Sequence, residues 1–396
     1  MPNEHPAVTT FRKYLQIPSV HPEINYDECV KFITNEAKKL NLPIKVIEIY
    51  SGKPIVIITW KGTNPELPSL LLNSHMDVVP VFREYWKYEP FDAIKDENGN
   101  IYARGAQDMK CVGIQYMETI RRYLKEGLRF KRTIHISFVP DEEIGGKEGM
   151  GAFVKTLEFQ SMNVGFAMDE GTISDSDHFF VRNAERVIWQ LHVTCCGNTG
   201  HGSLLHENTA AEKMQYIINK FLEYRENEKS RLYSNPDLML GDVTTINMTM
   251  LQGGIQMNVV PPEITAGFDM RLALDVNHEK FLNMIDSWCS EAGNDVRYTF
   301  RRKSSPIAPT PMDESNPWWM VFKHEIEKMG LKWKKITSPG ASDNRYIREL
   351  GIPAIGFSPI NNTPVLLHDN NEFLNEKVFL RGIEIYYNLI KGLASM

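Results

Sequence analysis

The sequence predicts an α/β domain with a mixed sheet flanked by helices, interrupted by an inserted α+β domain. Three observations point there. The first half alternates amphipathic helical spacing with short, almost uninterrupted apolar runs, the mark of strands covered on both faces. The middle changes rhythm to β-α-β-β-α-β, the split pattern of a ferredoxin-like unit. The end then returns to the first style. The 396 residues suit two or three domains, and the expected division is 1–185, 186–304 and 305–396, with the outer pieces forming one domain.

Apolar spacing marks helices over Ala7–Ile17 and Tyr26–Leu40. Lys45–Tyr50, Pro54–Trp60 and Leu70–Ser74 are β-rich runs parted by Gly, Pro and Asn. A helix over Cys111–Gly127 and strands over Thr133–Val139 and Val164–Met168 follow. In the insert, strands are expected at Arg186–Cys196, Val243–Leu251, Ile264–Leu274 and Val296–Arg302, with helices at Ala210–Arg225 and Asn277–Ala292. Ile352–Phe357 reads as a buried strand and Asn375–Leu393 as an amphipathic helix.

Composition narrows the function classes. Apolar residues make up 42% and charged residues 24%, ordinary globular values that exclude a disordered chain. Lys+Arg 44 against Asp+Glu 50 gives a net charge of −6, so no general positive field attracts nucleic acid. Arg301-Arg302-Lys303 and Lys332-Trp333-Lys334-Lys335 read as solvated faces. No apolar run approaches the ~18 residues of a membrane span, and the N-terminus has neither signal-peptide nor transit-peptide character. Five cysteines without CxxC spacing read as reduced thiols, and the expected location is cytoplasmic.

Carboxylates and histidines collect where strands end. Leu70–Ser74 runs into His75-Met76-Asp77, and Asp77 is placed to orient the imidazole. Asp108 precedes a helix, where an N-cap role is the plain alternative. Thr133–Val139 leads to Asp141-Glu142-Glu143, and Val164–Met168 to Asp169-Glu170. Acids gathered at one sheet edge repel unless a positive charge lies among them. A pair of zinc ions about 3.5 Å apart answers that need, with His75, Asp108, Glu143, Glu170 and His368 as the supply of ligands. Glu142, beside a ligand, is then free to act as general base. Gly145–Gly151 lacks the GK[ST] ending of a phosphate loop.

These segments, with Gly105-Ala106-Gln107-Asp108-Met109-Lys110, Asp141–Gly146 and the late His368, resemble the zinc-dependent exopeptidase and deacylase family. It includes carboxypeptidase G, several dipeptidases, acetylornithine deacetylase and aminoacylase. Cys111, directly after the Asp-x-Lys motif, and Asn344-Arg345-Tyr346-Ile347-Arg348 are most like the aminoacylase branch. The resemblance implies hydrolysis of N-acyl-L-amino acids. The same centre would also serve a dipeptidase or a deacetylase of basic N-acetyl amino acids, and a non-catalytic binding protein of this fold is the remote alternative.

By the same resemblance, His75, Asp108 and Glu170 hold one zinc, and Asp108, Glu143 and His368 the second, with Asp108 bridging. Glu142 is the base, Asp77 orients His75, and the Asp108–Met109 peptide is cis. Gly200-His201-Gly202-Ser203 in the insert matches a family segment whose histidine stabilises the oxyanion. Asn258, Arg271 and Arg345 match substrate-binding positions, suited to an α-carboxylate. The insert is implied to act as a lid and as the contact of a homodimer, through which His201 reaches the other subunit. One departure is Ser342-Asp343, where Thr-Asp is expected.

Overall fold

The structure, a computed structural model, describes residues 4–396. It divides into two compact units: one runs up to Ala184 and takes in Ala308–Lys335 and Ala341–Met396, the other is Glu185–Ile307 with Ile336–Gly340.

The first unit is built on an eight-stranded mixed sheet in the order Ile44–Glu48, Pro54–Trp60, Ile134–Val139, Ser69–His75, Val164–Asp169, Ala354–Gly356, Phe179–Glu185, Trp333–Ser338. The four strands from Ile134–Val139 to Ala354–Gly356 are mutually parallel, so their carboxyl ends share one edge. Every residue of Ser69–His75 and of Ile134–Val139 is buried. Side chains alternate between two cores: Leu70 and Leu72 face helices Pro6–Leu15, Asp27–Lys39, Lys110–Lys125 and Glu376–Ser395, while Leu71 joins Met150, Phe153 and Ile347 on the opposite face. That two-sided burial is why the strands read as continuous apolar runs. Gly113 lets helix Lys110–Lys125 settle on the sheet, since a Cβ there would lie 2.6 Å from the Phe138 ring and 2.8 Å from Ser74 Oγ.

The second unit has one four-stranded antiparallel sheet in the order Thr245–Gly253, Glu263–Leu272, Val187–Cys196, Val296–Lys303. Helices Ala210–Ser234 and His278–Ala292 pack on one face through Met214, Ile217, Phe221, Phe281 and Ile285. The first helix runs nine residues past its expected end. It starts at a capping box in which Thr209 and Glu212 satisfy each other's backbone N–H.

Residues 336–340, expected with the outer domain, group with the second unit. Arg186 explains this, because its backbone N–H donates to Ser338 O and its guanidinium to Pro339 O. The basic run at 332–335 enters an edge strand, with Lys334 and Lys335 exposed before Ile336–Ser338 turn inward. Lysines are a usual way to keep such an edge from pairing further.

Candidate active site

The parallel strands deliver the acids and the first histidine to the same edge. His75 is the last residue of its strand, Glu142 and Glu143 form a short 3-10 turn three residues past Val139, and Glu170 directly follows Asp169. The Asp108–Met109 peptide bond is cis. His75 Nδ1 lies 2.9 Å from the Asp77 carbonyl oxygen, which can only accept, so Nδ1 carries the hydrogen and Nε2 faces the acids. Nε2 stands 3.0 Å from Asp108 Oδ1 and 3.8 Å from Glu170 Oε2. His368 Nε2 lies 3.0 Å from Glu143 Oε2 and 3.4 Å from Asp108 Oδ2. Asp108 therefore turns one oxygen to each histidine.

Asp77 works differently from expectation. Its carboxylate is 3.7 Å from His75 Nδ1, beyond hydrogen-bond distance, and the ring is oriented by its main-chain carbonyl instead. The carboxylate caps the acidic turn, accepting from Glu142 N at 3.2 Å and Glu143 N at 3.0 Å. Ligand-capable atoms fall into two close groups, His75-Glu142-Glu170 and His75-Asp108-Glu143, each within 4.8 Å. His75 thus belongs to both, and Glu142 lies within ligand distance of His75 and Glu170.

The electrostatics are those of acids crowded around too little positive charge. Burial first, and then Asp108, push Glu170 up to about 8. Burial and Glu170 raise Glu142 well above the usual range, and burial and Asp108 raise Glu143. Burial also works against charge on Asp108 and His75, yet His368 and His75 hold Asp108 well below its ordinary value. Asp108 and Glu170 lift His75 well above its own. Hydrogen bonds to Asp108 and Glu143 raise His368 to about 10. A divalent cation among these oxygens and imidazole nitrogens would supply the missing charge, and this N/O donor set fits one.

Several further residues support the site, and two of them, Glu372 and Arg182, carry no local sequence signal. Glu372, fully buried, accepts from Arg104 Nη1 (2.9 Å), Gly105 N (3.0 Å), Gln107 N (2.6 Å) and Asp108 N (3.3 Å), and so ties down the loop that carries Asp108. Arg182 places Nη1 3.5 Å from Glu170 Oε1 while donating through Nη2 to Gly171 O. Arg345 donates to Gly145 O, which Tyr346 Oη also reaches at 2.7 Å, so the short helix Asn344–Glu349 holds the turn just after Glu143. Gly145 has φ 105°, a conformation that favours glycine.

The remaining expected residues belong to the second unit. His201 is exposed, and its Nδ1 accepts from Ser203 N at 3.2 Å, which leaves the ring hydrogen on Nε2. A two-residue ladder pairs Gly200-His201 with Val259-Val260, and Gly202 N donates to Asn258 O at 2.8 Å, bringing His201 and Asn258 together. Arg271 is held by Asp269 through Nε at 2.7 Å.

Residues 71–392 match peptidase family M20/M25/M40. The chain is 51% identical to rat Aminoacylase-1A over 394 residues, covering 100% of this chain and 97% of that protein. It is 46% identical to Aminoacylase-1 of Dictyostelium discoideum over 406 residues, covering 100% and 98%. Its fold matches the crystal structure of an M20 family metallo-carboxypeptidase from Sulfolobus solfataricus with a TM-score of 0.76 at 18% identity, over 99% of this chain and 100% of that one. With imidazoles and carboxylates converging at the edge of this sheet, and with likeness along its whole length, the chain belongs to peptidase family M20/M25/M40, metal-dependent hydrolases of amide bonds.

Proposed function

We propose that this chain is a dinuclear zinc amidohydrolase that cleaves N-acyl-L-amino acids to a carboxylate and a free L-amino acid. The observation that carries the metal centre is Asp108, with one carboxylate oxygen toward His75 and the other toward His368. Glu170 completes the ligands on the His75 side and Glu143 those on the His368 side. The substrate class rests on the identity with the aminoacylases.

When bound, the two ions supply Lewis-acid polarisation of the amide carbonyl and make water a better nucleophile at neutral pH. The chain's own residues do the rest. Glu142 takes a proton from the attacking water and returns it to the leaving amine. Asp77 holds the Glu142-Glu143 turn through two backbone N–H groups. Arg345, Arg271 and Asn258 bind the α-carboxylate end of the substrate, for which a guanidinium fork is well shaped. His201 presents its Nε2–H to the developing oxyanion.

We assign His201 to the neighbouring active site of a homodimer formed through the second unit. Its edge strand Thr245–Gly253 carries exposed Met248 and Leu251, Ile255 and Met257 just after it are fully exposed, and so is Leu205, four residues past His201. An unpaired edge with such apolar side chains supports a contact between copies. All five cysteines are free, and among the described residues no helix is long and apolar enough to cross a membrane. The free thiols support a reducing, cytoplasmic setting.

The test compares kcat/KM of the zinc-loaded enzyme for N-acetyl-methionine, N-acetyl-ornithine and an unblocked dipeptide. N-acetyl-methionine is expected to lead. A clear preference for the dipeptide or for N-acetyl-ornithine would replace the substrate assignment while leaving the metal centre intact.

A further inference from the structure

The residues that hold the acidic turn are themselves held by a segment far from any motif. Ser19-Val20-His21 runs alongside Met76-Asp77-Val78. Val20 bridges Val78 in parallel, Val78 N donates to Ser19 O at 2.8 Å, and His21 N donates to Val78 O at 3.2 Å. Ser19 Oγ closes the pair by donating to Met76 O at 2.5 Å. This short ladder brings the His21 ring to the buried side of Asp77, with Nε2 2.9 Å from Oδ2. His21 is 8% exposed and Asp77 is 0% exposed, so water does not substitute readily for either partner.

We infer that His21 is a positioning residue for the reaction, acting through Asp77 on the Glu142-Glu143 turn. A carboxylate offers only lone pairs, so His21 Nε2 carries the hydrogen in this bond. Three donors then fix the two oxygens of Asp77: Glu142 N on Oδ1, and Glu143 N and His21 Nε2 on Oδ2. The backbone donors belong to the turn that must be placed, so they cannot also anchor the carboxylate against it. His21 is the side-chain donor that comes from outside the turn. Without it, Asp77 is free to rotate with the turn, and the Glu142 carboxylate loses its fixed aim at the reacting water. The inference rests on the reading of Glu142 as base and Glu143 as ligand.

The test is a double-mutant cycle on the zinc-loaded enzyme with N-acetyl-methionine. His21→Ala is expected to lower kcat about 10–100-fold, the usual effect of removing an outer partner of a metal-site residue, while KM changes less than about threefold. His21→Gln, which keeps an N–H donor of similar reach, is expected to recover most of the loss. In an Asp77→Asn background, His21→Ala is expected to cost little further, because the two act as one unit. Wild-type kcat in fully loaded His21→Ala overturns the inference. A full additional loss in the Asp77→Asn background also overturns it. If His21→Ala does not fold, His21→Gln decides: kcat near wild type supports the donor role, and a 10-fold or greater loss at normal stability refutes it. Glu142→Gln is measured in parallel. Near-normal kcat there would remove the base assignment, and the cycle would still report whether His21 and Asp77 are coupled.

Discussion

Replacing Glu372 by alanine removes the acceptor for four donors at once: the Arg104 guanidinium and the backbone N–H groups of Gly105, Gln107 and Asp108. Arg104 is 2% exposed and Glu372 0%, so the guanidinium would be left buried without its partner. Breaking a buried pair from one side costs about 3–5 kcal/mol. The three amides add to the strain on the loop, although a cavity the size of the lost side chain can admit water to some of them. Glu372→Gln keeps the shape but loses charge and one acceptor oxygen, and about 1–3 kcal/mol is expected. Because Asp108 lies on the tethered loop, zinc affinity is expected to fall about 10–100-fold in the alanine variant, with a smaller loss for glutamine. Urea unfolding of the metal-free proteins gives the stability difference, and competition with a chelator gives the affinity. Glu372→Ala within about 1 kcal/mol of wild type, with unchanged zinc retention, would refute the reasoning.

Other consequences follow from the same arrangement. Glu142→Gln should retain its metal, by elemental analysis, and lose about 10²–10⁴-fold in kcat; near-normal kcat would mean that another group is the base. His201→Ala and Glu142→Gln homodimers should each be nearly inactive, yet mixing equal amounts should restore about a quarter of wild-type activity. Half of the dimers are then mixed, and each has one site that combines an intact Glu142 with His201 of the partner subunit. Verified mixed dimers without recovered activity would show that His201 does not act across subunits.

How much of this could be read from residues alone depended on where each signal lies. The central strands were readable because both their faces are covered: Ser69–His75 and Ile134–Val139 have no exposed residue to break the apolar run. The strand Trp333–Ser338 was hidden because it lies at the sheet edge, and its first half shows water two lysines. His75, Glu142, Glu143 and Glu170 were readable because strand ends announce them. Glu372 and His21 were not. Each acts on a partner distant in the chain, Glu372 on Asp108 across 264 positions and His21 on Asp77 across 56, and neither sits in a patterned segment. Spacing places Asp77 beside His75 but cannot tell whether its main chain or its side chain meets the imidazole. The roles proposed for His201, Asn258, Arg271 and Arg345 rest on resemblance, because an exposed histidine, a loop asparagine or a lone arginine carries no local mark of substrate contact.

The central claim is that hydrolysis depends on two metal ions held by His75, Asp108, Glu143, Glu170 and His368. Its most direct test is a titration of metal-free protein with Zn²⁺, following hydrolysis of N-acetyl-methionine against metal equivalents per chain. Activity should be absent at the start, rise with added zinc, and level off at two equivalents. Full activity before any metal is added, with elemental analysis confirming its absence, would contradict the account.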